Sequence, residues 1–156
     1  MKILLAIDGS PCSSAAVNEV AERPWPAGSE VKIISAMERP VPPMTEPWAM
    51  PPDYFEGLEK AAREQAQAAV ESAAARFGQG EGKQLQVTAE IIEGSPKHVI
   101  LDEAEQWSAD LIVVGSHGYR GLKRLWLGSV SHAVATHAKC SVEIVRCRPS
   151  SESEAT

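Results

Sequence analysis

Residues 2–11 read "KILLAIDGSP". Residues 2–7 are almost continuously apolar, the pattern of a strand buried on both faces of a parallel sheet. The chain then changes character within a few residues. Ser10 is a helix N-cap and Pro11 a first-turn proline, and the helix they open continues through Ala15, Ala16, Val17, Val20 and Ala21 until Pro24 and Pro26 stop it. A buried strand running through a short turn into a helix is the opening unit of an α/β domain.

The rest of the chain repeats that unit. "EVKIISAM" (30–37) is a second strand, and "ERPVPPMTEPWAMPPD" (38–53), with six prolines, is a long loop without regular structure. Asp53 followed by Glu56 resembles a capping box. It opens a helix to Phe77 with an apolar stripe of Leu58, Ala62, Ala66, Ala69, Val70, Ala73 and Phe77, stopped by Gly78. "QLQVTAEII" (84–92) alternates Leu85, Val87, Ala89 and Ile91 as a half-buried strand does. Ser95-Pro96 opens a helix that turns Val99, Ile100, Ala104 and Trp107 inward. "DLIVVG" (110–115) is a fourth strand, residues 129–137 a short helix, and "CSVEIVR" (140–146) a last strand. Strict alternation of strand and helix predicts a parallel sheet. Ligands of such sheets bind outside the carboxyl ends of the strands. The loops there are 8–14, 37–53, 93–96 and 115–128.

The bulk properties are those of an ordinary globular chain. At 156 residues it is long enough for one domain, expected over 1–148 with a disordered polar tail at 149–156. A net charge of −6 argues against a general nucleic-acid binder. No apolar run approaches the ~20 residues of a membrane span, and the start of the chain does not read as a signal peptide, so a cytoplasmic location with no membrane partner is expected. Cys12, Cys140 and Cys147 form no CxxC pair and no metal spacing, and are read as free thiols. On one strand, Cys140 and Cys147 would lie about 20 Å apart, too far to bridge each other.

"VVGSHGYRGLKRLWLGSVSHAV" (113–134) carries the functional signal. Gly115 and Gly118 follow a strand at once, nine residues intervene, and Gly128-Ser129 opens a helix. A GxxG pair alone is usually a connector. Joined to an open helix start, it becomes a backbone surface for an anion: no Cβ blocks close approach, and the first helical amides lack internal partners. Four or five hydrogen bonds to a charged group, at ~1.5–3 kcal/mol each, reach the ~8 kcal/mol of micromolar affinity after ordering costs. Ser129 and Ser131 add hydroxyls. The stretch is neither a P-loop nor GxGxxG. Asp8, ending the first strand, reads alone as a turn aspartate; beside the glycine motif it reads as a contact to ribose or Mg2+.

"ILLAIDGS" together with Gly115-x-x-Gly118, nine residues, Gly128-Ser129 resembles the universal stress protein family, over nearly the whole chain from Lys2 to about Arg148 and in its ATP-binding branch. The resemblance implies a flavodoxin-like or Rossmann-like α/β fold, an open parallel five-stranded sheet of order 3-2-1-4-5 with helices on both faces. It implies a homodimer formed through the C-terminal strand, and ATP, with Mg2+, as ligand. Asp8 then matches the ribose or metal contact and Ala36 the backbone position that meets adenine. Gly115, Gly118, Gly128, Ser129 and Ser131 match the phosphate and ribose contacts, flanked by Val114 and Val130. The Pro- and Trp-rich loop at 38–53 departs from the family pattern.

His117 is read as turn filler or a phosphate contact rather than a general base. His132 and His137, five apart on a helix, do not share a face for a metal, so no metal site is assigned to side chains. Arg120, Lys123 and Arg124 are a solvated charged face or an electrostatic partner of the phosphates. Trp107 is read as core, Trp48 and Trp126 as loop or dimer contacts. The expected function is an ATP-binding regulatory module of the stress response with an unidentified protein partner. The alternatives are a slow ATPase or self-phosphorylating enzyme with Ser129 or Ser131 as acceptor, and an interaction scaffold without nucleotide; no catalytic residue is assigned.

Overall fold

The computed structural model describes residues 1–39, 52–78, 85–118 and 127–147. Five strands alternate with four helices: β1 (Lys2–Ile7), α1 (Pro11–Glu22), β2 (Glu30–Met37), α2 (Pro52–Phe77), β3 (Gln86–Glu93), α3 (Pro96–Gln106), β4 (Leu111–Gly115), α4 (Ser129–His137) and β5 (Ser141–Val145). All pairings are parallel, in the order β3-β2-β1-β4-β5. This is the flavodoxin-like α/β topology. The order reverses at β1, between β2 and β4, so the carboxyl ends of β1 and β4 border the natural crevice.

The continuous apolar character of β1 has its cause in the two layers around it. Ile3, Leu5 and Ile7 face α1 and α2 with Val17, Val20, Val70 and Phe77. Leu4 and Ala6 face the opposite way, toward α3 and α4 with Ile100, Ala104 and Val134. Because successive strand residues point to opposite faces, a central strand must be apolar at every position. α1 starts as its sequence predicts: Ser10 Oγ accepts a hydrogen bond from the Ser13 amide at 3.2 Å, with Pro11 in the first turn.

Four expectations need correction. Leu58 is 39% exposed, so the apolar stripe of α2 is buried only at Ala66, Val70, Ala73 and Phe77. At ~1.5 Å per residue the 26-residue helix is far longer than the strands it covers, and its first turns project past the sheet. Its start at Pro52 places Asp53 inside the first turn rather than at the cap. Ala89 is exposed, because β3 is an edge strand whose α1/α2 face is covered only at Val87 and Ile91. Trp107 is half-buried at the end of α3, with Lys2 Nζ 5.4 Å from its ring centre, and is not a full core residue.

The cysteines depart furthest from expectation. Cys12 and Cys147 form a disulfide across 135 residues, with Cα atoms 4.5 Å apart, and Cys140 is the free thiol. Spacing along the chain bears only on cysteines that share an element. The tertiary structure places the end of β5 beside the first turn of α1. Burial is the main cause that holds the Cys140 thiol above its usual pKa, with Asp110 adding to it and its own backbone hydrogen bond opposing. Trp48, Trp126, Arg120, Lys123, Arg124 and the tail from 149 lie outside the described residues.

Candidate functional site

A cavity of about 890 Å³ opens at the carboxyl ends of the strands on the α3/α4 side. Asp8, Ala36, Val114, Gly115, His117, Gly118, Gly128, Ser129, Val130 and Ser131 all line it. Residues from β1, β2, β4, α4 and the turns between them thus share one wall system, although they are spread over more than 120 positions.

Asp8 sits where β1 ends. Its Oδ1 accepts from the Ser10 amide at 2.9 Å, which makes it a turn aspartate, while the residue also borders the cavity. Gly118 stands against the same carboxylate: a Cβ at 118 would lie 2.5 Å from Asp8 Oδ2. Gly115 is glycine for another reason. A Cβ there would meet the Cys12 carbonyl carbon at 2.7 Å and the Ser13 nitrogen at 2.8 Å, so the end of β4 lies directly on the first turn of α1.

The helix after the glycine motif begins at Gly128, which offers no capping side chain. The amides of Ser129, Val130 and Ser131 find no acceptor among the described residues, since the first helical bond runs from His132 to the Gly128 carbonyl at 2.9 Å. Other donors expected of the motif are already engaged. The Gly128 amide donates to the Ser116 carbonyl at 2.8 Å. The Ser131 hydroxyl, in a residue only 4% exposed, donates to the carbonyls of Ser116 and Gly128, both at 3.0 Å. Ser131 braces the loop with its side chain and presents its amide. The hydroxyl of exposed Ser129 remains at the surface of the cavity.

Ala36 owes its place to the unequal lengths of β1 and β2. The β1–β2 ladder ends at Ile7 opposite Ser35, whereas β2 continues to Met37 against β3. The Met37 carbonyl accepts from the Gly94 amide at 3.1 Å and so points toward β3. Backbone groups alternate sides along a strand, so those of Ala36 face β1: its amide meets the Ile7 carbonyl in the last rung of the ladder, and its carbonyl is directed beyond the end of β1. Ile34, Ala36 and Ile100 give this part of the cavity an apolar lining.

His117 is half-buried, its Nδ1 3.1 Å from Ser116 Oγ. His132 and His137 are exposed on α4 away from this lining, and no cluster of three metal-ligating side chains occurs among the described residues. Reading the sequence missed Ser13, Ser95 and Lys97, which also line the cavity. The 93–96 loop was placed at this rim, so Ser95 had a signal. Ser13 had the same signal, since it falls in the 8–14 segment expected at this rim, and the packing of α1 on Gly115 brings it to the cavity. No helix among the described residues is long and apolar enough to cross a membrane.

The universal stress protein family model matches residues 1–146. The chain is 31% identical over 148 residues to universal stress protein YxiE of Bacillus subtilis, covering 93% of this chain and 98% of that one. Among solved structures it is similar to universal stress protein UspA from Lactobacillus plantarum, at 25% identity and a TM-score of 0.71, over 94% of this chain and 97% of the other. It is also similar to a universal stress protein family protein from Arabidopsis thaliana with AMP bound, at 19% identity and a TM-score of 0.68, over 96% and 93% of the two chains. A likeness at that identity speaks for the fold.

Proposed function

The chain belongs to the universal stress protein family, and from that premise we propose that it binds ATP or a related adenine nucleotide in the cavity at the β1/β4 rim. In this reading it is a regulatory binding module of the stress response. It acts as a homodimer paired along β5, one of the two edges of the sheet, and its choice of protein partner depends on the nucleotide.

The observation that carries the reading is the trio of open amides at Ser129, Val130 and Ser131, facing a cavity that also holds a carboxylate and an apolar end. Three charge-assisted bonds to phosphate supply roughly 5–9 kcal/mol before ordering costs. Micromolar binding needs about 8, and burial of a planar base against Ile34, Ala36 and Ile100 adds to the amide contribution. The Ala36 carbonyl supplies an acceptor for the base edge, its amide being engaged by the end of β1. Asp8 serves the ribose hydroxyls or, with the phosphates, a Mg2+ ion, which takes one or two carboxylates in such sites. Self-phosphorylation at Ser131 fits less well, because its hydroxyl is buried and donates to main-chain carbonyls, which leaves exposed Ser129 as the acceptor in that alternative.

Titration calorimetry with Mg-ATP tests the reading and is expected to give a dissociation constant near the micromolar range. Asp8→Ala is expected to weaken ATP more than inorganic triphosphate if Asp8 meets the sugar, and both equally if it meets the metal. Absence of binding heat, with no rise in melting temperature in excess Mg-ATP, sinks the nucleotide assignment.

A further inference from the structure

Ser116 joins the disulfide to the open helix start. Its amide donates to the Val145 carbonyl at the end of β5, at 2.8 Å. Its hydroxyl donates to Cys12 Sγ at 3.7 Å and lies 3.1 Å from His117 Nδ1. Its carbonyl accepts from the Gly128 amide and the Ser131 hydroxyl, which together fix the first turn of α4. The cross-link holds both supports of this residue: Cys12 in the first turn of α1, against which Gly115 packs, and Cys147 two residues past β5.

We propose that Cys12–Cys147 is a thiol–disulfide exchange site, and that its oxidation state sets the affinity of the cavity by way of Ser116. The coupling rests on the nucleotide reading above; the exchange site itself does not. The two sulfurs have different roles. Cys147 is half-buried and reachable, while Cys12 is 4% exposed. A thiolate of a dithiol therefore attacks Cys147 Sγ, the bond between the two sulfurs breaks, and its electron pair leaves on Cys12. A thiolate in the first turn of a helix is stabilised by the helix amides, and a stabilised thiolate leaves faster. The second thiolate of the reductant then displaces Cys147 from the mixed disulfide. Two electrons and two protons pass from the dithiol, which departs as a cyclic disulfide. Reoxidation runs the same exchange with a low-molecular-weight disulfide, which departs as two thiols.

With the cross-link in place, the end of β5 and the start of α1 clamp Ser116 from two sides, and the amides of α4 are held ready for an anion. Without it, nucleotide binding must itself order these segments, and the affinity falls. Linkage makes the effect reciprocal: ATP resists reduction of the disulfide by the same factor by which reduction weakens ATP.

The test compares the full chain oxidised with oxidised glutathione and reduced with dithiothreitol, circular dichroism confirming that both are folded. Peptide mass spectrometry is expected to find the Cys12–Cys147 link only in the first, and its absence there overturns the exchange site. Calorimetry is expected to show Mg-ATP bound about fivefold more tightly by the oxidised form, within the usual range of such couplings. Saturating ATP then lowers the reduction potential of the pair by about 20 mV, the same fivefold factor for two electrons. Ser116→Ala keeps the link and loses most of the difference, and Cys140→Ser keeps both. Cys147→Ser binds as the reduced form does and ignores dithiothreitol; where that variant fails to fold, the reduced wild-type chain gives the same comparison. Equal binding by both forms overturns the redox coupling and leaves the nucleotide reading standing. Binding by neither form overturns both.

Discussion

The two strand-to-helix turns that flank the cavity are built from similar residues and finished in opposite ways. After β1, Asp8 accepts from the Ser10 amide and Ser10 accepts from the Ser13 amide, so the start of α1 satisfies itself with its own side chains. After β4, Gly128 holds the cap position, and the amides of Ser129, Val130 and Ser131 meet no acceptor among the described residues. A helix N-terminus closed by side chains contributes stability, whereas one left open beside a cavity holds unspent hydrogen-bonding capacity and the positive end of a dipole. The two turns also touch: Ser10 Oγ donates to the His117 carbonyl at 3.3 Å, so the closed turn supports the open one.

The largest expected effect breaks the contact between the turns. Gly115→Val forces a side chain onto the Cys12 and Ser13 backbone, which cannot yield without moving α1. It is expected to cost about 3 kcal/mol of stability or more, read as a fall in denaturant midpoint. A wild-type midpoint would show that α1 does not rest on β4. Gly118→Val meets only the flexible Asp8 carboxylate, so the fold should hold while ATP binding weakens at least tenfold, about 1.4 kcal/mol. Unaltered affinity would remove the glycine turn from the cradle. Ser10→Ala strips the cap from the closed turn. It is expected to cost about 1 kcal/mol in thermal unfolding and only a small part of the ATP affinity, sharpening the division between a stabilising turn and a binding one.

Much of this arrangement was legible in the residues themselves. The helix 129–137 and the strands 2–7 and 30–37 stand where their patterns place them. The ten residues singled out for the site border one cavity, because the motif, the end of β1 and the end of β2 all fall on the carboxyl rim of a parallel sheet. The roles within that set were less visible. Gly115 read as backbone bared for a ligand and is a packing glycine against α1. Ser131 read as a hydroxyl contact and is a brace. Each role depends on a partner far away in sequence or on a buried environment, which residue type alone does not encode. Lys32 is a further example: burial lowers its pKa, but the hydrogen bonds it donates to Glu103 and Glu90 outweigh burial and raise it, a balance set across β2, β3 and α3. Its contribution to stability is full at neutral pH and fades only as strongly alkaline conditions deprotonate it.

From the sequence by itself came the alternation of elements, the N-cap positions of α1 and α3, the topology class and the glycine-marked rim, because these follow from periodicity and turn chemistry within a few residues. Only the tertiary structure decided which amides of the rim stay open, why Gly115 admits no side chain, and that Cys12 meets Cys147 across 135 residues. Such features arise where α1, β4 and β5 converge, and a contact between distant segments exists only after the sheet has ordered its strands.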